Sequence, residues 1–114
     1  MTPQFTYRAN LIRVIDGDTI EARIDLGFDT WTVRTVRFYG INAWESRTRD
    51  LEEKAKGLKA KAFVEQTMEQ CGGEFVLVSH GVGKYGRCLG TIYIGSQDLN
   101  RQLLQEGLAV EYQP

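Results

Sequence analysis

The segment Val14–Ile15–Asp16–Gly17–Asp18–Thr19–Ile20 constrains the fold most. An Asp-Gly pair between two apolar, β-branched runs reads as a tight hairpin. Upstream, residues 5–15 are rich in Phe, Tyr, Leu, Ile and Val and form a first predicted strand. Downstream, residues 18–26 alternate, with Ile20, Ala22, Ile24 and Leu26 on one face and Glu21, Arg23 and Asp25 on the other. That period predicts a strand buried on one side. Gly27–Phe28–Asp29 makes the next turn, and a third strand is predicted over 30–39. Its phase shifts, because Trp31 and Val33 share one parity and Val36 and Phe38 the other. We read the shift near Arg34–Thr35 as a β-bulge or sharp bend, which a small closed barrel needs.

Residues 46–61 change character. Arg47, Arg49, Lys54, Lys56, Lys59 and Lys61 mix with Asp50, Glu52 and Glu53, as in a solvated loop passing into a helix. Leu51, Ala55, Leu58 and Ala62 keep helical spacing. Gly57 argues against one continuous helix, so the helix is placed at 58–70, ending at Gly72–Gly73. A short strand at Phe75–Ser79, a glycine-rich loop at 81–86 and a strand at 87–94 follow. A short helix at 98–107 carries Leu99, Leu103 and Leu104 on its apolar face, with Gly107 as cap. The expected fold is mainly β with helices: a five-stranded OB-type Greek-key barrel, a helix between strands three and four, and a short C-terminal helix. On pattern alone an SH3-like barrel and an α+β sandwich stay open.

At 114 residues the chain is expected to form one domain over 1–114. Its net charge is −1 and its pI about 5.8, so any polyanion binding must come from local clustering. Cys71 and Cys88 have neither metal-ligand spacing nor the count of a disulfide framework, and read as free thiols. The N-terminus, Met1 to Thr6, lacks the charged and apolar regions of a secretory signal. No segment approaches the ~20 apolar residues of a membrane span. The expectation is a cytoplasmic monomer with no membrane partner, secretion by an already removed leader staying open.

Several residues could carry chemistry. Asp16 and Asp18 offer oxygen ligands for a hard cation, although Asp-Gly-Asp is also ordinary turn chemistry. Arg37 shares a strand face with Tyr39, opposite Val36 and Phe38. It is either an exposed strand arginine or a planar clamp for phosphate. Glu45 follows Gly40–Ile41–Asn42–Ala43–Trp44, which ends the strand, and so sits on a loop at the barrel rim. There a glutamate is a surface charge or a general base. Lys84, Tyr85 and Arg87 form a basic loop, or else contact phosphate and base. His80 has no evident partner and reads as a bystander. Tyr112 either lines a nucleotide pocket or anchors the tail.

The combination is more specific than its parts. Val-Ile-Asp-Gly-Asp-Thr, Arg-x-x-Gly-Ile-x-Ala-x-Glu, Lys-Tyr-Gly-Arg and Glu106–Gly107–Leu108–Ala109 follow in that order. From about Leu11 to Tyr112 the chain resembles the staphylococcal nuclease (thermonuclease) family. Gly57 also matches a glycine at the family's helix entrance. The resemblance implies an OB-type barrel and a Ca²⁺-dependent, sugar-nonspecific endonuclease acting on DNA or RNA. The bond broken would be P–O5′, leaving a 3′-phosphate. Arg37, Glu45 and Arg87 match the family's catalytic arginine, glutamate and arginine. Asp18 matches its first calcium-ligating aspartate, and Asp16 a nearby carboxylate. Asn42 falls where a second ligating aspartate stands, and Ala43 where a backbone carbonyl completes the metal shell. Lys84 and Tyr85 match residues that contact nucleotide phosphate, and Tyr112 is taken with them as substrate-binding. Three positions depart: Asn42 replaces a carboxylate, Trp44 a proline, and Gly83 an aspartate common among relatives. The loss of charge at Asn42 should lower metal affinity. It also favours the alternative of a non-catalytic nucleic-acid-binding or protein-interaction barrel, which the three matching catalytic side chains disfavour.

Overall fold

The computed structural model describes residues 5–46 and 48–112. Residues 1–4 of the segment read for a leader, and Arg47 of the basic stretch, lie outside the described residues. In chain order the elements are β1 (Thr6–Asp16), β2 (Thr19–Asp25), β3 (Trp31–Phe38), β4 (Ile41–Ala43), α1 (Leu51–Gln70) and β5 (Glu74–Val82). A 3-10 turn (Lys84–Gly86), β6 (Cys88–Ile94), β7 (Gln97–Asp98), α2 (Leu99–Gln105) and β8 (Ala109–Glu111) complete the chain.

β1 and β2 form the expected hairpin around Gly17–Asp18, with Asp16 opposite Thr19. The glycine is there for a different reason from the one the turn suggests. Gly17 does not have positive φ, but a Cβ on it would collide with the Cβ of Ala60 and approach that of Ala43 to 3.3 Å. It lets α1 lie directly on the turn. β3 pairs with β2 in unbroken antiparallel register from Thr19–Arg37 to Asp25–Trp31, so the bulge expected at Arg34–Thr35 is absent. Trp31 and Val33 share the outward face with Arg37 and are exposed, while Val36 and Phe38 face the core. Trp31 lies 4.2 Å from the Arg23 guanidinium, which accounts for an aromatic residue outside the barrel. Leu26, beyond the end of β2, is exposed as well. The register shifts fall instead in β1, leaving Ile12 and Ile15 unopposed, and in β5, leaving His80 unopposed.

The strands run in the order β3-β2-β1-β5-β6, and a parallel pairing of Val36–Phe38 with Cys88–Gly90 closes them into a five-stranded barrel. α1 connects the third and fourth barrel strands, as expected. Apart from the barrel, β4 and β8 form a two-stranded antiparallel ribbon. Neither was expected as a strand, because three residues show no period.

α1 begins at Leu51 rather than 58. Asp50 caps it, accepting from the backbone N–H of Glu52 and Glu53. Gly57 sits inside the helix at a cost of roughly 1 kcal/mol in propensity. A Cβ there would stand 2.5 Å from the backbone C and O of Glu45, so the glycine allows the helix to rest on that loop. The helix ends as predicted, with Gly72 and Gly73 at positive φ and the Gly73 N–H bonded to the Met68 carbonyl at 2.8 Å. Ala60, Val64 and Met68 of α1 meet Ile20, Ala22, Ile24, Val36 and Phe38 of the barrel and Leu99 and Leu103 of α2 in one core. Among the described residues no helix is long and apolar enough to cross a membrane.

Candidate active site

Strand alternation explains Arg37. Its neighbours Val36 and Phe38 fill the core, so its side chain leaves the barrel on the opposite face. There it meets the β1–β2 turn and is only 14% exposed, against Asp18 at 10%. Arg37 Nη1 lies 3.1 Å from Asp18 Oδ2. The angle is too poor for a hydrogen bond, and this buried N–H has no acceptor. Arg37 Nη2 donates to Asn42 Oδ1 at 3.2 Å. Arg87, entering β6 from the 3-10 turn, also holds a buried Nε–H without an acceptor. Unpaired buried donors are rare in folded proteins. Two arginines that carry them line one cavity here.

Asp18 is fixed from both sides. Its Oδ1 accepts from the Thr19 hydroxyl at 2.8 Å, and its Oδ2 from the Ala43 backbone N–H at 2.9 Å. Asp16 is tied to the loop that carries Glu45: the Ser46 hydroxyl donates to its Oδ1 at 2.6 Å, and the Ser46 N–H at 3.3 Å. Ser46 is thus a buried positioning residue that sequence reasoning missed. The only signal was a serine directly after Glu45. Glu45 itself is exposed, held from behind by Gly57.

Asp16, Asp18, Thr19, Arg37, Asn42, Ala43, Glu45 and Arg87 line this cavity of about 150 Å³. The structure therefore brings together every expected catalytic and metal-binding residue. Lys84 and Tyr112 lie elsewhere, on an adjoining cleft of about 350 Å³ that shares Arg37, Asn42 and Arg87 with the first. Tyr112 also stands 5.7 Å from the Arg37 guanidinium. Tyr85 lines neither space. It is 93% exposed at the tip of the 3-10 turn, at φ 62, with its ring 5.7 Å from the Arg87 guanidinium. A non-glycine residue in that conformation is strained, and such strain concentrates at functional loops. Trp44 packs beneath the Lys56 ammonium, 5.0 Å away, joining the Glu45 loop to α1.

The cavity's possible metal donors are all oxygens, which suits a hard cation. Carboxylates from Asp16, Asp18 and Glu45, the Asn42 amide and the Ala43 backbone share its walls. Among the described residues no three His, Cys, Asp or Glu side chains cluster closely enough to hold a metal by themselves. Asn42, with Arg37 on its oxygen, contributes no charge. The donors fit Ca²⁺ in kind, with a low charge count.

Residues 35–114, more than two thirds of the chain, match the family model described as staphylococcal nuclease homologue. The match begins inside β3 and includes Arg37, Glu45, Lys84 and Arg87, while the hairpin bearing Asp16 and Asp18 precedes it. No curated protein matches the chain at a significant level.

Proposed function

Because the chain belongs to the staphylococcal nuclease homologues, we propose that it is a Ca²⁺-dependent, sugar-nonspecific endonuclease that hydrolyses phosphodiester bonds of DNA or RNA. The observation that carries this reading is the convergence of two arginines, Arg37 and Arg87, and three carboxylates, Asp16, Asp18 and Glu45, on one cavity. Buried guanidinium donors without acceptors are matched by an oxyanion, and a phosphodiester supplies two oxygens in the required plane.

In the proposed mechanism, Arg37 and Arg87 bind the non-bridging oxygens and stabilise the charge that grows on them as water attacks. Glu45, exposed on its loop, orients the water and takes its proton, while the P–O5′ bond breaks and the leaving 5′ oxygen takes a proton from solvent. Asp18, Asn42 and the Ala43 carbonyl, with Asp16 alongside, would hold Ca²⁺. A cation held by these residues would supply neutralisation of phosphoryl charge. Ser46 and Gly57 keep the Glu45 loop in register with the hairpin, so that base and arginines converge on one phosphate.

The test is digestion of plasmid DNA and single-stranded RNA, first with Ca²⁺ and then with chelator. Ca²⁺-dependent cutting of both substrates is expected. Binding of nucleic acid without cutting in any of Ca²⁺, Mg²⁺ or Mn²⁺ would replace the enzyme by a binding module.

A further inference from the structure

We propose that the groove beyond Tyr112 is a second nucleotide subsite, taking one base and one phosphate of a single strand whose scissile phosphate lies at Arg37 and Arg87. This rests on the nuclease reading above and names the form of its substrate. Three concave spaces run in series. The 150 Å³ cavity and the 350 Å³ cleft share Arg37, Asn42 and Arg87. The cleft in turn shares Tyr39, Gly40 and Tyr112 with a third space of about 750 Å³. Tyr39, Gly40 and Tyr112 are thus walls common to cleft and groove, and a strand leaving the cleft past Tyr112 reaches the groove next.

The groove is equipped for a base. Tyr39, at 40% exposed, and Tyr112, at 47%, stand at its mouth. Tyr39 is braced before any ligand arrives, stacked on His80 with ring centroids 4.1 Å apart and planes 11° from parallel. His80 reaches it because it is the unopposed residue of the β5 bulge, a feature that re-aims side chains. Its Nε2 lies 2.8 Å from the Thr91 hydroxyl, which fixes the ring. A held aromatic ring loses little freedom when a base stacks on it.

The charges favour one phosphate and one base edge over a run of phosphates. Among the described residues Arg101 is the single cation lining the groove, with Asp98 and Glu111 beside it. Asp98 Oδ1 is engaged in capping α2 through the Arg101 N–H. Among the described residues neither Arg101 nor Glu111 is in an ion pair. Arg101 is thus available to a phosphate, and Glu111 to a donor. A carboxylate accepts from an exocyclic amino group such as that of cytosine, where thymine and uracil present a carbonyl. A base can stack on a tyrosine ring only when it is unpaired, so the strand entering the groove is single.

Fluorescence anisotropy tests this with Ca²⁺ present, on a Glu45→Gln background so that strands stay intact. Tetradeoxycytidylate should bind about 10-fold more tightly than deoxycytidine 5′-phosphate, given about 5-fold or more per stacked base. Arg101→Ala should remove the phosphate share of that gain, about 2-fold, and leave mononucleotide affinity unchanged, since Arg101 lies outside the cleft. Tetradeoxycytidylate should also outbind tetrathymidylate, and Glu111→Gln should narrow the difference. Mononucleotide binding with no gain from length would overturn the groove alone. Equal losses for both ligands in Arg101→Ala would do the same, and equal affinity for the two tetranucleotides would overturn the role of Glu111. Failure of every nucleotide to bind would overturn the nuclease reading with it.

Discussion

Arg37 shows how much a single position determines. Strand parity put it opposite Val36 and Phe38, and that much was legible in the sequence. Its burial against Asp18 was not, because sequence does not show that the hairpin folds back across β3. Arg37→Ala and Arg87→Ala should each lower turnover about 10²–10³-fold, the usual loss for a preorganised transition-state donor. Thermal melts should stay closer to wild type for Arg87→Ala than for Arg37→Ala, which leaves the buried Asp18 carboxylate without its cation. Wild-type cleavage by both variants would show that the arginines are unrelated to the chemistry. Asn42 supports a second prediction. Its amide oxygen accepts from Arg37 Nη2, so the position faces both arginine and metal donors. Asn42→Asp should restore a negative charge beside the cation and tighten Ca²⁺ binding, because charge count is a main determinant in oxygen-ligand sites. Calorimetric titration checks this. No gain in affinity would remove Asn42 from the metal shell and leave it as a holder of Arg37.

At the scale of elements, α1 positions the site. Gly57 and Ala60, three residues apart on one face, press on the Glu45–Ser46 backbone and on Gly17 respectively. The helix thereby sets the distance between the Glu45 loop and the hairpin. Gly57→Ala gains helix propensity but places a methyl 2.5 Å from the Glu45 carbonyl carbon and oxygen. We expect a net loss of about 1–3 kcal/mol, as for overpacking, together with a fall in turnover as the Glu45 loop shifts. Urea denaturation and the cleavage assay read the two effects separately. A more stable variant with unchanged turnover would show that the loop yields freely. The same glycine explains why the helix start at Leu51 was not legible. Read locally, Gly57 is a weak helix former, and only the tertiary contact reveals its use. The bulges were misplaced for a related reason. Outward Trp31 looked like a phase slip, whereas its partner Arg23 sits on the neighbouring strand. β4 and β8 were too short to carry a period, yet they bring Asn42, Ala43 and Tyr112 to the site. The barrel strands and the closing helix, each long and periodic, were legible.

At the scale of the whole molecule, a net charge of −1 gives the proposed nuclease no general field to hold its substrate. In that reading, recognition rests on the cations that line the cavity and cleft: Arg37, Arg87 and Lys84. Their spacing along one continuous surface matters more than their number, because the rest of the protein offers a strand no net attraction. This gives a quantitative expectation. For single strands the logarithm of the binding constant falls with the logarithm of salt concentration by about 0.7 per phosphate neutralised, so three cations predict a slope of about −2. If Arg101 takes a further phosphate in the groove, oligonucleotides long enough to reach it should show a slope closer to −3, and Arg101→Ala should return it to −2. Binding measured in Ca²⁺ between low and physiological salt supplies the slope. A value steeper than about −5 would mean that other basic residues, such as those of α1, engage the strand. A slope near zero would mean that the arginines do not contact phosphate, and the site would lose its electrostatic basis.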